Sequence, residues 1–299
     1  MSTRLLVCDL DNTLYDWVHF YVSSFYSMVD VVCEVTGCDR ATLLADFKAV
    51  HQQHGDAEHP FSLLETKTIQ QLFPHTGRRE LAQKLNGAFH AFNSARKRTL
   101  QLYPGVREGL DRLGEAGVTL VAHTESNLFA VVDRLTRLDL TKYFARIYCR
   151  ERANSDHPEP DVGERWLDSF PMHKVTELSH HQRKPDSSVL LEICRNEGAT
   201  TDSSAYVGDS ITRDIAMAKR VGVFAIWAKY GATHASGEYE KLVRVTHWTP
   251  EDVERELRLR RASEGVKPDY VLEKSFLELL PTLGITSSIS SESISQESN

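Results

Sequence analysis

The sequence predicts an α/β protein: a parallel β-sheet flanked by helices, interrupted near its start by an all-helical insertion. Three observations carry this reading. Apolar runs of strand length recur at 4–8, 118–122, 144–149, 204–208 and 223–227, most of them followed by helical periodicity, and that βα alternation implies parallel pairing. About ninety residues after Leu14 hold helical spacing with no strand between, too long a block for an ordinary crossover. A chain of 299 residues that is 41% hydrophobic can bury a substantial core without disulfide staples.

The first strand ends at Asp9-Leu10-Asp11-Asn12-Thr13-Leu14, two carboxylates two residues apart followed by residues that favour a turn. Helix capping is the structural alternative for these acids. The span 15–35 then places Trp17, Phe20, Tyr21, Phe25, Met28, Val32 and Val35 at three- and four-residue spacings, the pattern of an amphipathic helix closed by Gly37. Three more helices are expected over 40–51, 60–73 and 78–98. After Tyr103-Pro104-Gly105 a short helix (106–114) stops at Gly117, the strand 118–122 follows with His123 to Asn127 at its carboxyl end, and 128–138 is helical again. The span 150–180 is polar, irregular and proline-bearing, with one apolar stretch at 162–170, and reads as a surface excursion. Pro185 and Asp186 suit a turn and the start of a helix over 187–198. The strand 204–208 leads into Asp209, a helix begins at Asp214 and stops at Gly222, and 223–227 is the next strand. The span 235–265 is charged and helix-forming, with Thr249-Pro250-Glu251-Asp252 as an N-terminal signature. A short strand (269–272) and a helix (275–283) complete the core, and the Ser-rich tail 285–299 is expected to be disordered.

Composition excludes several function classes. A net charge of −7 argues against a general nucleic-acid binder, because phosphate-backbone affinity needs clustered Lys and Arg. No stretch approaches the roughly 20 apolar residues of a membrane helix. Five cysteines without a CxxC pair and an N-terminus without a basic-then-apolar segment predict a reducing, cytoplasmic location.

Several predicted strand ends carry polar residues: Asp9 and Asp11, then Thr124 and Ser126, then Asp209 and Asp214, while Lys184 precedes a helix in the same alternation. Alone, Thr124 or Ser126 reads as a helix cap, Lys184 as a surface lysine and Asp214 as an N-cap. On a parallel sheet all strand ends face one crevice, so these residues can converge. Four acids gathered there repel one another unless a cation intervenes, and Mg²⁺ suits a few carboxylates while leaving room for phosphate oxygens.

This set and its order resemble the haloacid dehalogenase superfamily, and within it the aspartate-nucleophile phosphatases with a helical cap inserted after the first motif. Asp9-Leu10-Asp11-Asn12-Thr13 matches DxDxT, Thr124 the second motif, Lys184-Pro185-Asp186 the third, and Gly208-Asp209-Ser210 through Asp214 the fourth. Glu125 departs from the Asn that relatives often carry. The resemblance implies a Rossmann-like three-layer core (1–14 and 104–284) and a helical cap (15–103) closing over the crevice through hinges after Leu14 and before Pro104. It implies Asp9 as nucleophile and Asp11 as general acid and base. Mg²⁺ would be held by Asp9, the Asp11 carbonyl, Asp209 and Asp214, and phosphoryl oxygens by Thr124, Ser126 and Lys184. Dehalogenases of the superfamily lack an acid at the position of Asp11, so the expected reaction is Mg²⁺-dependent hydrolysis of a small phosphomonoester by a monomer or homodimer. The expected partner is a small phosphorylated metabolite such as a nucleotide, a sugar phosphate or a phosphoglycolate-like acid. The alternatives are a phosphomutase of the same fold and a non-catalytic binding protein. Within the cap, His19, Arg78 and Arg96 are conceivable substrate contacts, but each reads first as a solvated helix residue.

Overall fold

The computed structural model describes residues 3–59, 61–151, 167–235 and 237–285. Seven strands form one parallel sheet in the order β4-β3-β2-β1-β5-β6-β7: β1 (Leu5–Cys8), β2 (Thr119–Asn127), β3 (Arg146–Arg150), β4 (Val175–Leu178), β5 (Ser204–Gly208), β6 (Phe224–Ala228) and β7 (Tyr270–Leu272). The chain winds outward from β1 to β4, then returns to lay β5 on the other side of β1. The strand order therefore reverses between β1 and β5, and a crevice opens there at the carboxyl edge.

Every residue of β1 is buried, as a central parallel strand requires. Its side chains alternate between two core clusters, Leu6 and Cys8 facing one and Leu5 and Val7 the other, so helices cover both faces and the core has three layers. The first cluster continues into the insertion, where it takes in Phe20, Phe25, Val32 and Phe47.

The insertion consists of α1 (Trp17–Thr36), α2 (Arg40–His54), α3 (Lys67–Leu72), α4 (Arg78–Lys84) and α5 (Asn86–Thr99). Asp16 caps α1 by accepting from His19 N, and Gly37 ends it at φ 69°, the left-handed region that favours glycine. The predicted stripe is buried from Phe20 to Val32, with Trp17 partly buried against that core and the last position, Val35, 69% exposed beyond the packed face. The helix expected over 60–73 is instead a 3₁₀ turn (Ser62–Glu65) and α3, and the one over 78–98 breaks at Leu85. Tyr103 N donates to Leu14 O at 3.0 Å, and Tyr15 bridges Leu102, so the two connections to the sheet run side by side.

Further on lie α6 (Val106–Glu115), α7 (Leu128–Arg137), α8 (Ser187–Asn196), α9 (Ala216–Arg220), α10 (Glu238–Val245), α11 (Pro250–Ala262) and α12 (Leu279–Thr282). Three expectations need correction here. First, β2 does not stop at Ala122 but runs extended through Asn127, which is itself the cap of α7, so Thr124 and Ser126 are strand residues and not caps. Second, the excursion expected over 150–180 contains β4, four residues at the sheet edge of which only Leu178 is buried, too short for a periodicity signal. Third, Asp214 does not start a helix but lies inside a wide turn (Ile211–Ile215), where its carboxylate accepts from Ser210 N at 3.1 Å. The expectations for the tail beyond 285 and for most of 162–170 lie outside the described residues. Among the described residues no helix is long and apolar enough to cross a membrane.

Candidate active site

The turn after β1 has its shape from Asn12, which takes φ 58° and accepts with its side-chain oxygen from Trp17 N (3.1 Å) and Val18 N (3.3 Å). Asn tolerates this left-handed conformation better than most residues. The turn leaves Asp9 almost completely buried at the sheet edge. Thr13 Oγ1 donates to Asp9 Oδ2 at 3.0 Å, and Lys184 Nζ donates to Asp9 Oδ1 at 2.5 Å. The same ammonium reaches Asp214 Oδ1 at 2.8 Å, and the Tyr206 hydroxyl donates to that oxygen at 3.2 Å. Gly208 makes room for this approach, since a Cβ there would stand 2.4 Å from the Asp214 carboxylate.

Asp9, Asp209 and Asp214 bring carboxylate oxygens within 4.8 Å of one another. Burial, followed by Asp9 and Asp214, pushes Asp209 well above the usual carboxylate range. Burial also pushes Asp9 up to about 7, with Lys184 opposing and Asp214 and Asp11 adding to the rise. One ammonium thus faces three carboxylates, and the charge left over suits a hard cation. Mg²⁺ binds oxygens at about 2.1 Å, so ligands across it stand roughly 4 Å apart, and this all-oxygen donor set fits it.

Across the crevice, Ser126 Oγ donates to Asp11 Oδ2 at 2.5 Å, and Thr124 Oγ1 accepts from Ser126 N at 3.1 Å. Glu125 is held ionised despite its burial by Arg213 (3.1 Å) and Arg183 (3.5 Å), with Lys184 and Arg255 also acting on it. Its unusual charge is thereby neutralised within the wall. Asp9, Asp11, Thr124, Ser126, Lys184, Asp209 and Asp214 all line one cavity of about 300 Å³. Residues of the insertion (Trp17, Asp56, Glu58) and of α10 (Tyr239, Leu242) line it as well. The three suggested insertion contacts are engaged elsewhere: His19 pairs with Glu238, Arg78 with Glu65 and Arg96 with Asp133. Reading the sequence missed Glu58, Arg213 and Arg134, because each acquires its meaning only from partners distant in the chain.

Comparison with known proteins agrees with this geometry. Residues 3–222 match the haloacid dehalogenase-like hydrolase family, and residues 181–274 match a HAD-hydrolase-like family. A phosphoglycolate phosphatase of Agrobacterium fabrum is 29% identical over 231 residues, covering 77% of this chain and 82% of that protein. A phosphoglycolate phosphatase of Pseudomonas syringae pv. tomato is 26% identical over 235 residues, covering 77% and 71%. Among solved structures, a 2-haloacid dehalogenase from Pseudomonas syringae pv. tomato superposes with TM-score 0.55 at 21% identity, covering 94% of this chain and 97% of that one. A HAD phosphatase from Thermococcus onnurineus gives TM-score 0.51 at 16% identity, covering 95% and 99%. At these identities the superpositions speak for the fold, and the family match over most of the chain carries the assignment: this protein belongs to the haloacid dehalogenase-like hydrolases.

Proposed function

We propose that this hydrolase is a Mg²⁺-dependent phosphomonoesterase working through an aspartyl phosphate on Asp9. The observation that carries the reading is the pairing of Asp9, held from both sides by Thr13 and Lys184, with a second acid, Asp11, on the same turn. A phosphoryl group is an anion that repels nucleophiles, so positioning and charge neutralisation carry most of the catalysis. Asp9 attacks phosphorus, the bond to the leaving oxygen breaks, and Asp11 gives that oxygen its proton. Asp11 then takes a proton from the water that cleaves the aspartyl phosphate, returning both acids to their starting states. Lys184 and the Thr124 hydroxyl bind phosphoryl oxygens, while the Ser126 hydroxyl, expected to join them, gives its one hydrogen to Asp11. Asp9, the Asp11 carbonyl, Asp209 and Asp214 would hold Mg²⁺, which supplies charge neutralisation when bound.

The insertion, about 15–103, acts as a cap over the crevice, excluding water and admitting the leaving group. Asp11 favours phosphate esters over carbon–halogen bonds, because halide departs without a proton. The cavity size fits a small phosphorylated metabolite, and the relatives make phosphoglycolate the first compound to try. Purified protein should release phosphate from 4-nitrophenyl phosphate and from one or more members of a phosphorylated-metabolite panel. That turnover should require Mg²⁺ and be abolished by Asp9→Asn. Turnover surviving that substitution, or persisting in excess chelator, would overturn the reading.

A further inference from the structure

Arg134 projects from α7 into the interior, where its side chain is 1% exposed. Its Nη1 donates to both Glu58 carboxylate oxygens at 2.6 and 2.8 Å. Its Nη2 donates to Ser126 Oγ at 2.6 Å and stands 3.4 Å from each Asp11 carboxylate oxygen. A guanidinium is donor-only, and a serine hydroxyl has a single hydrogen free to rotate. Because Arg134 fills an acceptor site on Ser126, that hydrogen is directed to Asp11 Oδ2, 2.5 Å away. Asp11 Oδ1 is itself buried and keeps no hydrogen bond, so the orientation of the carboxylate rests on the Ser126 bond to Oδ2 and on Arg134 beside it.

Glu58 comes from a different part of the chain, the loop between α2 and α3. That loop is braced from behind, with His54 and His59 both bonded to the Glu65 carboxylate at 2.6 and 3.0 Å. It touches the core at a second point, where Asp56 accepts from Asn127 Nδ2 at 2.5 Å. Asn127 uses its side-chain oxygen to cap α7 at Ala130 N, 3.0 Å away. Two acids of one loop therefore grip both the first turn of α7 and the arginine further along it. Lifting the loop would leave the buried guanidinium without its closest carboxylate.

We propose that Arg134 is a positioning residue for proton transfer, and that Glu58 makes its action conditional on the insertion being seated on the core. With the loop in place, Arg134 fixes the Ser126 hydroxyl and, through it, the orientation of Asp11. With the loop away, that orientation is lost. This rests on reading Asp11 as the proton carrier, and its consequence is selective: esters whose leaving oxygen needs a proton depend on Arg134 and Glu58, whereas activated esters do not.

The test compares kcat/KM for an alkyl phosphate and for 4-nitrophenyl phosphate, because kcat/KM reports only the steps through departure of the leaving group. Arg134→Gln and Glu58→Gln should each lose tenfold or more on the alkyl ester, within the roughly 10²–10⁴ that general acid catalysis supplies. They should stay within about threefold of wild type on the aryl ester, and Arg134→Lys should recover part of the alkyl loss. Equal losses on both esters, or no loss on either, would overturn the inference. Glu58→Gln guards against the chance that the buried arginine variant fails to fold. Asp11→Asn is the reference: if it shows the ester-selective loss and the other variants do not, only the Arg134 inference fails. If Asp11→Asn shows none, the proton-carrier reading fails with it.

Discussion

At Lys184 one ammonium, 3% exposed, is shared between two buried carboxylates, and its charge is held well on the protonated side: burial opposes it, but Asp214 and Asp9 more than compensate. Replacing it by Met keeps the bulk and removes the only cation in contact with that pair among the described contacts. Removing one partner of a buried ion pair typically costs about 3–5 kcal/mol, because the remaining charge is left uncompensated. Lys184→Met should therefore lower the urea midpoint sharply in chelator, and saturating Mg²⁺ should restore part of the loss through the same carboxylates. A variant as stable as wild type in chelator would mean that the acids do not depend on Lys184. Turnover should fall in either case under the proposed binding of phosphoryl oxygens by Lys184.

Between residues and fold stand the turns that aim the site, and two glycines separate a structural demand from an idle one. Gly231 closes the short turn after β6, where a Cβ would lie 1.5 Å from the Asn12 carbonyl oxygen and Tyr230 donates to Thr13 O at 2.8 Å. Gly231→Ala must push the Asn12 turn and with it Asp11. It should cost about 1–3 kcal/mol or more, with loss of turnover at temperatures where the variant is still folded. Gly114, in α6, has nothing within 4 Å of an added Cβ, so Gly114→Ala should gain about 0.5–1 kcal/mol in helix propensity. Thermal melts of the two variants check the contrast. The same elements show what could be read in advance. β1, β5 and β6 are legible to within a residue because buried parallel strands are continuous apolar runs. β4 is not, being four residues at an edge, and the outer half of β2 is not, because His123 to Asn127 are polar residues that carry no apolar strand pattern. Asp9, Asp11, Lys184 and Asp209 are legible because each sits at a fixed place in the βα alternation. Arg134 is not, since within Asp133-Arg134 on α7 it is indistinguishable by sequence from an exposed helix arginine, and only folding brings Glu58 and Ser126 to it.

Across the whole molecule, the insertion meets the core at one more buried polar joint, where α2 packs on α10. His51 is fully buried there; its Nδ1 lies 2.6 Å from Val245 O and its Nε2 3.2 Å from Ser62 Oγ. The carbonyl requires Nδ1 to carry the hydrogen, and in the neutral ring, which burial favours, the hydroxyl donates to Nε2. Burial pushes the imidazolium down to about 4; the Val245 carbonyl and Asp56 pull it back, while His59 and His247 add to the fall. The unfolded chain protonates a histidine near pH 6.5, so below that pH the unfolded state binds a proton that the folded state refuses. Stability is full above about pH 6.5 and declines as pH falls toward 4, with a slope reaching about 1.4 kcal/mol per pH unit for one proton. His51→Gln keeps a donor and an acceptor at the joint and removes the titration. Wild type should therefore lose more unfolding free energy between pH 7 and pH 4.5 than His51→Gln, by about 2–3 kcal/mol in urea titrations. Parallel pH profiles for the two proteins would show that this joint does not titrate.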